Sequence, residues 1–471
     1  MIGEIPLLPK LCLTKGKLKA KIKWIVKSYI ILYETGKNRF KKEVAFLAEI
    51  KPFRALRYNL SKAGEIEKLT CPPYDIINEE QRKAYIDTNE YNVIRLELPK
   101  GENPYEEAKS CLNSWINEEI LVTDSGEGVY IYEEEFKIPS EEQPKKLRGI
   151  VCLVKLEEFE NGVVLPHEET LSKAKTDRLN LIKATQTNFS QIYSLYPDEK
   201  KVTKKRIDNL AQSCSPRYEF DDGSVIHRLW VVNDKVAIKA ICEDFAGRKL
   251  YIADGHHRYE TALNYRNYCR ENNIYCPKSD YVMMYLADMA DEGLVVFPTH
   301  RLIRDLAEFN AQAVIEACGE YFDIETGIKA DEVEKKLADL LESGKKAFGF
   351  YHGGEVAVLT LKDIEVMREI IPDKSDAYRF LDVSILHSLI LEKLLGIDKE
   401  NMANQINLTY TRSFDEAIGS VDSKDFQCAF ILNSTAVSEI GEVAANNEKM
   451  PQKSTYFYPK VITGLVMNKL N

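Results

Sequence analysis

From Ile50 onward, short apolar runs alternate with longer amphipathic stretches, the pattern of a chain that mixes strands and helices. Asn92-Val-Ile-Arg-Leu-Glu-Leu98 alternates with the period of two expected of a half-buried strand, whereas Tyr105 to Glu119 repeats at helical spacing. Gly128 to Phe136 and Leu147 to Val154 read as two strands joined by a polar, Pro-containing loop. Asn78, followed by Glu79, Glu80 and Gln81, has the signature of a helix N-cap. Beyond Arg301 the spacing predicts helices over 306–321 and 330–343, then strands at 347–351 and 355–361. A strong helix is predicted over 384–395, with Ile385, Leu386, Leu389, Ile390 and Leu394 on one stripe. A strand over 428–432 then leads to Ser434 and Thr435 as the N-cap of a helix through Ala445. This interleaving predicts an α/β fold of mixed α+β character, with a core over 47–305 and a C-terminal α/β region over 306–471 that contributes a site loop.

Composition agrees with a folded domain and changes the picture at the N-terminus. Of 471 residues, 44% are apolar and 29% charged, too rich in apolar side chains for a disordered chain. The formal charge of −10 is an average over two unlike parts. Residues 1–46 hold eleven Lys and Arg against three Glu, so the remainder carries about −18. Lys27 interrupts the apolar run Trp24 to Tyr33, and no small-residue cleavage site follows, which disfavours a secretory signal. Residues 1–46 are instead expected to be a non-native or disordered extension. Codons for Lys42-Glu43-Val44 can encode a ribosome-binding sequence, with Leu47 as the true start. The acidic body disfavours nucleic acid, which needs a positive surface. The ten Cys are scattered without a C-x-x-C pair and read as reduced thiols of a cytoplasmic protein, with no membrane span.

Candidate chemistry is concentrated in Lys249-Leu-Tyr-Ile-Ala-Asp-Gly-His-His-Arg-Tyr-Glu-Thr-Ala-Leu263. A short apolar strand meets Asp254-Gly255 and a helix begins at once, so its first N–H groups form an anion site. His256, His257 and Arg258 add donors, and Asp254 is also a candidate metal ligand or helix cap. A second cluster, His167-Glu168-Glu169-Thr170, offers carboxylates for a general base or for Mg²⁺, although an acidic helix start explains it equally well. Weaker patches are His300 and Arg301 after an apolar strand, Lys453, Ser454 and Thr455 in a polar loop, and Asp75 on the stiff Pro72-Pro73-Tyr74-Asp75 turn. No G-x-x-x-x-G-K-[ST], G-x-G-x-x-G, kinase catalytic-loop or G-x-S-x-G motif is present.

Taken in order, Glu49 to Asn59, Cys71 to Ile77, His167 to Thr170, Asp254 to Ala262, Pro298 to Arg301 and Met450 to Pro459 resemble the family known as "domain of unknown function ten-fifteen" over residue 47 to the C-terminus. The Asp-Gly-His-x-Arg turn further resembles the ParB/sulfiredoxin-like superfamily, which includes chromosome-partitioning CTPases, sulfiredoxins and free-serine kinases. That resemblance implies a nucleotide-binding core in which Gly255, His256, His257 and Arg258 contact phosphates. It implies a phosphotransferase that uses ADP or ATP with Mg²⁺ and a small hydroxylated acceptor such as serine. Glu168, Glu169, Asp75 and His257 are the candidate catalytic groups, Glu168 and Asp254 the candidate metal ligands, and Lys453 a stabiliser of transferred charge. The rival readings are a nucleotide-gated DNA-partition protein, a sulfiredoxin-type repair enzyme and a metal-dependent hydrolase or nuclease.

Overall fold

Alternation along the central strands sorts side chains into cores on both faces of a sheet. In Val129–Phe136, Val129 and Ile131 enter one core while Tyr130 and Tyr132 enter the other; in Tyr281–Asp288, Met284 and Leu286 oppose Met283 and Tyr285 in the same way. A computed structural model describes residues 48–138, 141–168 and 172–471, without the side chains of 172–174. The expectations for residues 1–46 lie outside the described residues.

The architecture is mixed α/β and is built on two sheets. The larger has nine strands among the described residues: eight run from Val164–Leu165 through Leu250–Asp254, Ile192–Tyr196, Tyr281–Asp288, Lys145–Lys155, Val129–Phe136 and Val225–Val232 to Tyr218–Asp221, and Ile50–Lys51 pairs with Lys145–Lys155 off that path. Most neighbours are antiparallel, but Ile192–Tyr196 runs parallel to Tyr281–Asp288. The smaller sheet orders Phe322–Ile328, Val356–Leu361, Ala347–Tyr351, Cys428–Ile431, His300–Ile303 and Leu408–Thr411, and Leu408–Thr411 is an edge strand. Here too Phe348 and Phe350 fill one core while Ala347 and Tyr351 fill the other.

The chain crosses the expected division at residue 305 in both directions. His300–Ile303 already belongs to the smaller sheet. The C-terminal segment returns, with Tyr456–Tyr458 antiparallel to Val295–Phe297 and Asn468–Lys469 pairing Thr187–Asn188. Three local expectations are corrected. Asn92 to Leu98 contains the helical turn Ile94–Glu97 rather than a strand, because the Asn92 carboxamide accepts from Ile94 N and donates to the carbonyls of Lys68 and Thr70. The helix Val437–Ala445 is capped at Ala436, whose N–H donates to Glu439; Thr435 Oγ1 instead donates to Ser454 O at 2.7 Å. The helix expected over 306–321 is confined to Ala311–Cys318. The stripe over 384–395 is helical, but Leu386–Leu394 winds as a π-helix. No helix among the described residues is long and apolar enough to cross a membrane.

Candidate functional site

The strand Leu250–Asp254 lies one place in from the end of the larger sheet and feeds directly into the helix His256–Glu271. Gly255 makes the turn with φ of 91°, and a Cβ there would lie 2.8 Å from Arg258 Nε. The left-handed backbone favours glycine, and a Cβ there would also have to displace the Arg258 guanidinium. The first helical turn, with N–H groups that the helix itself cannot pair, lines a cleft of about 850 Å³.

That cleft gathers motifs far apart in sequence. Tyr74 and Asp75 line it from the Pro-Pro turn, Glu168 from the second cluster, Asp254, Gly255, His256, His257 and Arg258 from the strand–helix turn, and Lys453 and Thr455 from the C-terminal loop. Thr299 joins them from the chain just before the smaller sheet. Glu169 lies outside the described residues. Ser454, His300 and Arg301 do not line the cleft. Ser454 is buried, with Oγ donating to Pro451 O at 2.5 Å. His300 is buried in the smaller sheet, where Nδ1 accepts from Leu432 N at 3.3 Å. Arg301 is fully buried and bonds His387 and the carbonyls of Thr299 and Lys453.

Within the turn, two cations share one carboxylate. Arg258 Nη2 donates to Asp254 Oδ2 at 2.6 Å and Nη1 donates to Gln191 O at 2.6 Å, while Lys460 holds Asp254 Oδ1. Burial alone would raise the Asp254 carboxyl, but Lys460 and Arg258 outweigh it and hold the group below the usual carboxylate range. Asp254 therefore has each oxygen bonded to a cation, so a metal ligated there would share the carboxylate with Arg258 and Lys460.

The buried histidines act as neutral ties between loops. His167 Nδ1 lies 2.6 Å from Ile252 O, which assigns the proton to Nδ1 and makes Nε2 the acceptor for Thr455 Oγ1 at 3.0 Å. His256 Nε2 accepts from His167 N at 3.2 Å, and the two rings meet edge-on with centroids 4.6 Å apart. Burial lowers His167 to about 4; burial and then the neighbouring His167 hold His256 well below its ordinary value. His256 therefore cannot supply the positive charge expected of a phosphate ligand near neutral pH. His257 is only half-buried and is also lowered, first by burial.

Lys453 takes a left-handed backbone, φ 57°, fixed from both sides. Its N–H donates to Glu168 Oε1 at 3.3 Å, and its carbonyl accepts from Arg301 Nη2 at 3.2 Å, leaving the side chain exposed. The edge strand of the smaller sheet supplies a second wall: Thr409, Tyr410, Thr411 and the following Arg412 line the cleft, as do Tyr456 and Lys460 from the tail. Sequence reading gave none of these six a role. Lys460 sits in the polar loop singled out for Lys453, but nothing local marks Arg412, which only sheet topology brings there.

No cysteine lines the cleft among the described residues, and Cys269 on the same helix is buried with its thiol pushed up by burial. The low-pKa thiol that a sulfiredoxin-type reading needs is not at this turn. No cluster of three or more His, Cys, Asp or Glu arranged to hold a metal occurs among the described residues. Asp75, Glu168 and Glu416 are the other acids that line the cleft, Asp75 and Glu168 being the two expected from sequence. That set fits Mg²⁺ only in its common mode of one or two carboxylates plus ligand phosphates and water.

Among solved structures, a conserved hypothetical protein from Pyrococcus furiosus aligns at 14% identity and a TM-score of 0.34, over 68% of this chain and 95% of that one. A variant of a free serine kinase in complex with ADP aligns at 12% identity and a TM-score of 0.36, covering 71% and 97%. A free serine kinase in complex with AMP aligns at 13% identity and 0.35, covering 71% and 97%. No curated protein matches the chain in sequence. The family described as "Protein of unknown function (DUF1015)" matches residues 50–384, and the chain belongs to that family.

Proposed function

We propose that the cleft binds a nucleotide and that the protein is a phosphotransferase, moving a phosphoryl group from ADP or ATP to a small hydroxylated metabolite such as serine. One observation carries the reading: the open first turn of the helix His256–Glu271 shares a single cleft with Lys453, Arg412 and Lys460 and with the acids Asp75 and Glu168. Helix N–H groups and cations suit phosphate oxygens, and a carboxylate within the same space suits a hydroxyl proton. In phosphoryl transfer the protein mainly positions groups and neutralises charge, so this inventory is sufficient.

In the proposed reaction, the acceptor oxygen forms a bond to the transferred phosphorus while the bond from that phosphorus to the donor's bridging oxygen breaks. The acceptor's proton passes to Asp75 or Glu168, and the donor leaves with one phosphate fewer. Mg²⁺, held by ligand phosphates with Glu168 or Asp75, would supply further charge neutralisation. The acidic body supports small molecules rather than nucleic acid as partners, and the free cysteines support a cytoplasmic setting. We assign the larger-sheet region as the nucleotide-binding core and the smaller-sheet region as the contributor of the second wall.

The test is transfer of label from γ- or β-phosphate-labelled nucleotides across a panel of hydroxylated metabolites that includes serine. Labelled product is expected with at least one pair. If the protein binds none of the nucleotides and labels none of the acceptors, the reading is overturned.

A further inference from the structure

The two walls of the cleft differ in how their charges are matched. On the turn, Arg258 and Lys460 share Asp254, two of the three Arg258 nitrogens are committed to protein oxygens, and His256 is neutral. On the opposite wall, Arg412 is exposed; its partner is Tyr456, whose hydroxyl accepts from it and whose ring lies 4.6 Å from the guanidinium carbon. No carboxylate pairs with Arg412 or with the Lys453 ammonium among the described residues. Glu168 and Glu416 also line the cleft; one Glu168 oxygen accepts from the Lys453 N–H and one Glu416 oxygen from the Thr411 hydroxyl, and neither forms an ion pair with Arg412 or the Lys453 ammonium.

Behind this wall sits a third cation. Arg301 is fully buried, and its partners are neutral: His387 Nε2 at 3.2 to 3.3 Å and the carbonyls of Thr299 and Lys453. Burial lowers Arg301 to about 10, which leaves it charged at neutral pH. A buried charge without a counter-charge is costly, and an anion brought into the adjoining cleft offsets that cost. The Tyr410 hydroxyl, on a residue that lines the same wall, is buried with no hydrogen-bond partner, and the Arg301 guanidinium carbon lies 5.4 Å from its ring. Among the described residues Arg301 thus lacks a counter-charge and the Tyr410 hydroxyl a hydrogen-bond partner, next to residues that line the cleft.

We propose that Arg412 and Lys453, backed by Arg301, form the subsite that takes the terminal phosphate of a nucleoside diphosphate or triphosphate, and that Arg258 is a positioning residue that fixes the strand–helix turn. This rests on the reading of the cleft as a nucleotide site. Tyr456 holds the Arg412 fork in place, so it can offer two parallel N–H donors to phosphate oxygens, while Lys453 adds a point charge on a loop fixed at its backbone.

Calorimetric titration of the full chain with ADP, inorganic pyrophosphate and adenosine tests this, comparing wild type with Arg412→Gln, Arg412→Lys and Lys453→Gly. The expected result is a loss of about tenfold or more in ADP and pyrophosphate affinity for Arg412→Gln and Lys453→Gly, with a shallower salt dependence and unchanged adenosine binding. Arg412→Lys should retain part of the affinity, because charge remains and the fork does not. ADP affinity equal to wild type in both Arg412→Gln and Lys453→Gly would sink the assignment while leaving the nucleotide reading intact. Failure of the wild-type chain to bind ADP and pyrophosphate would remove the nucleotide reading and this assignment with it.

Discussion

The strand–helix turn and the second wall, made by Arg412 at the smaller sheet's edge and the Lys453 loop, both carry basic side chains, yet they are built to opposite ends. Around Asp254 each formal charge meets its opposite at short range, the histidines are neutral, and glycine geometry locks the backbone. At Arg412 and Lys453 the side chains are exposed and their charges are unmatched among the described residues. A dense basic motif is therefore not by itself the place where ligand charge is neutralised. Partners decide that, and partners are a tertiary property. The largest expected contrast follows directly. Asp254→Ala strands Arg258 and Lys460 together without their carboxylate and should cost about 3–5 kcal/mol in urea unfolding. Arg412→Gln should change stability by no more than about 0.5 kcal/mol in the same assay. Equal losses in the two variants would erase the distinction between the walls.

Acid should destabilise the fold, in part through the turn. An unfolded His titrates near 6.5, whereas His167 in the fold is lowered to about 4, so between these values the unfolded chain binds a proton that the native chain does not. Stability therefore rises with pH in that window: the contribution is complete above 6.5 and is lost as pH falls toward 4. From His167 alone the loss between pH 6.5 and 5 should be about 1.5 kcal/mol. His256, His300 and His387 are also lowered and act in the same direction. Denaturation midpoints at pH 7 and pH 5 should show the drop, and His167→Gln should flatten it by about that share. An unchanged slope in the variant would mean that His167 is not the neutral tie between the two loops.

How much of this could be seen in the sequence depends on the range of the forces involved. The strand Leu250–Asp254, its glycine turn and the helix after it are legible because apolar run, φ requirement and helix start all lie within a few residues. Asn92 to Leu98 misleads because seven residues cannot separate a period of 2 from 3.6, and the deciding hydrogen bonds go to Lys68 and Thr70, more than twenty positions away. His167, His256 and Thr455 are each conspicuous in sequence, but nothing local says that they bond to one another and are thereby withdrawn from charge chemistry. Arg412 is the extreme case. Its neighbours in sequence carry no motif, and it reaches the cleft only because Leu408–Thr411 pairs with His300–Ile303 at the sheet edge.

Between the electrostatic effects and the subtle ones lies the turn itself. Gly255→Ala must adopt φ near 91° and press on Arg258, so a loss of about 1–2 kcal/mol is expected, measured as a fall in the urea midpoint. A neutral outcome would show that the turn can relax, and with it that Arg258 is less tightly placed than its contacts to Asp254 and Gln191 indicate.

The smallest stability change is expected at the other wall, and its smallness is what makes it informative. Lys453 holds a left-handed backbone that costs a non-glycine residue about 1 kcal/mol, and Lys453→Gly removes that strain while giving the unfolded chain more freedom to lose. The two effects oppose each other, and the N–H to Glu168 and carbonyl to Arg301 contacts are made by backbone atoms that glycine retains. The urea midpoint should therefore move by less than about 1 kcal/mol in equivalent stability. The same substitution deletes the ammonium and should weaken pyrophosphate binding about tenfold. Stability kept with affinity lost would separate the loop's structural frame, which belongs to Glu168 and Arg301, from the charge it presents. A large stability loss would instead make the Lys453 side chain part of the frame, and the contrast between the two walls would narrow to Arg412 alone.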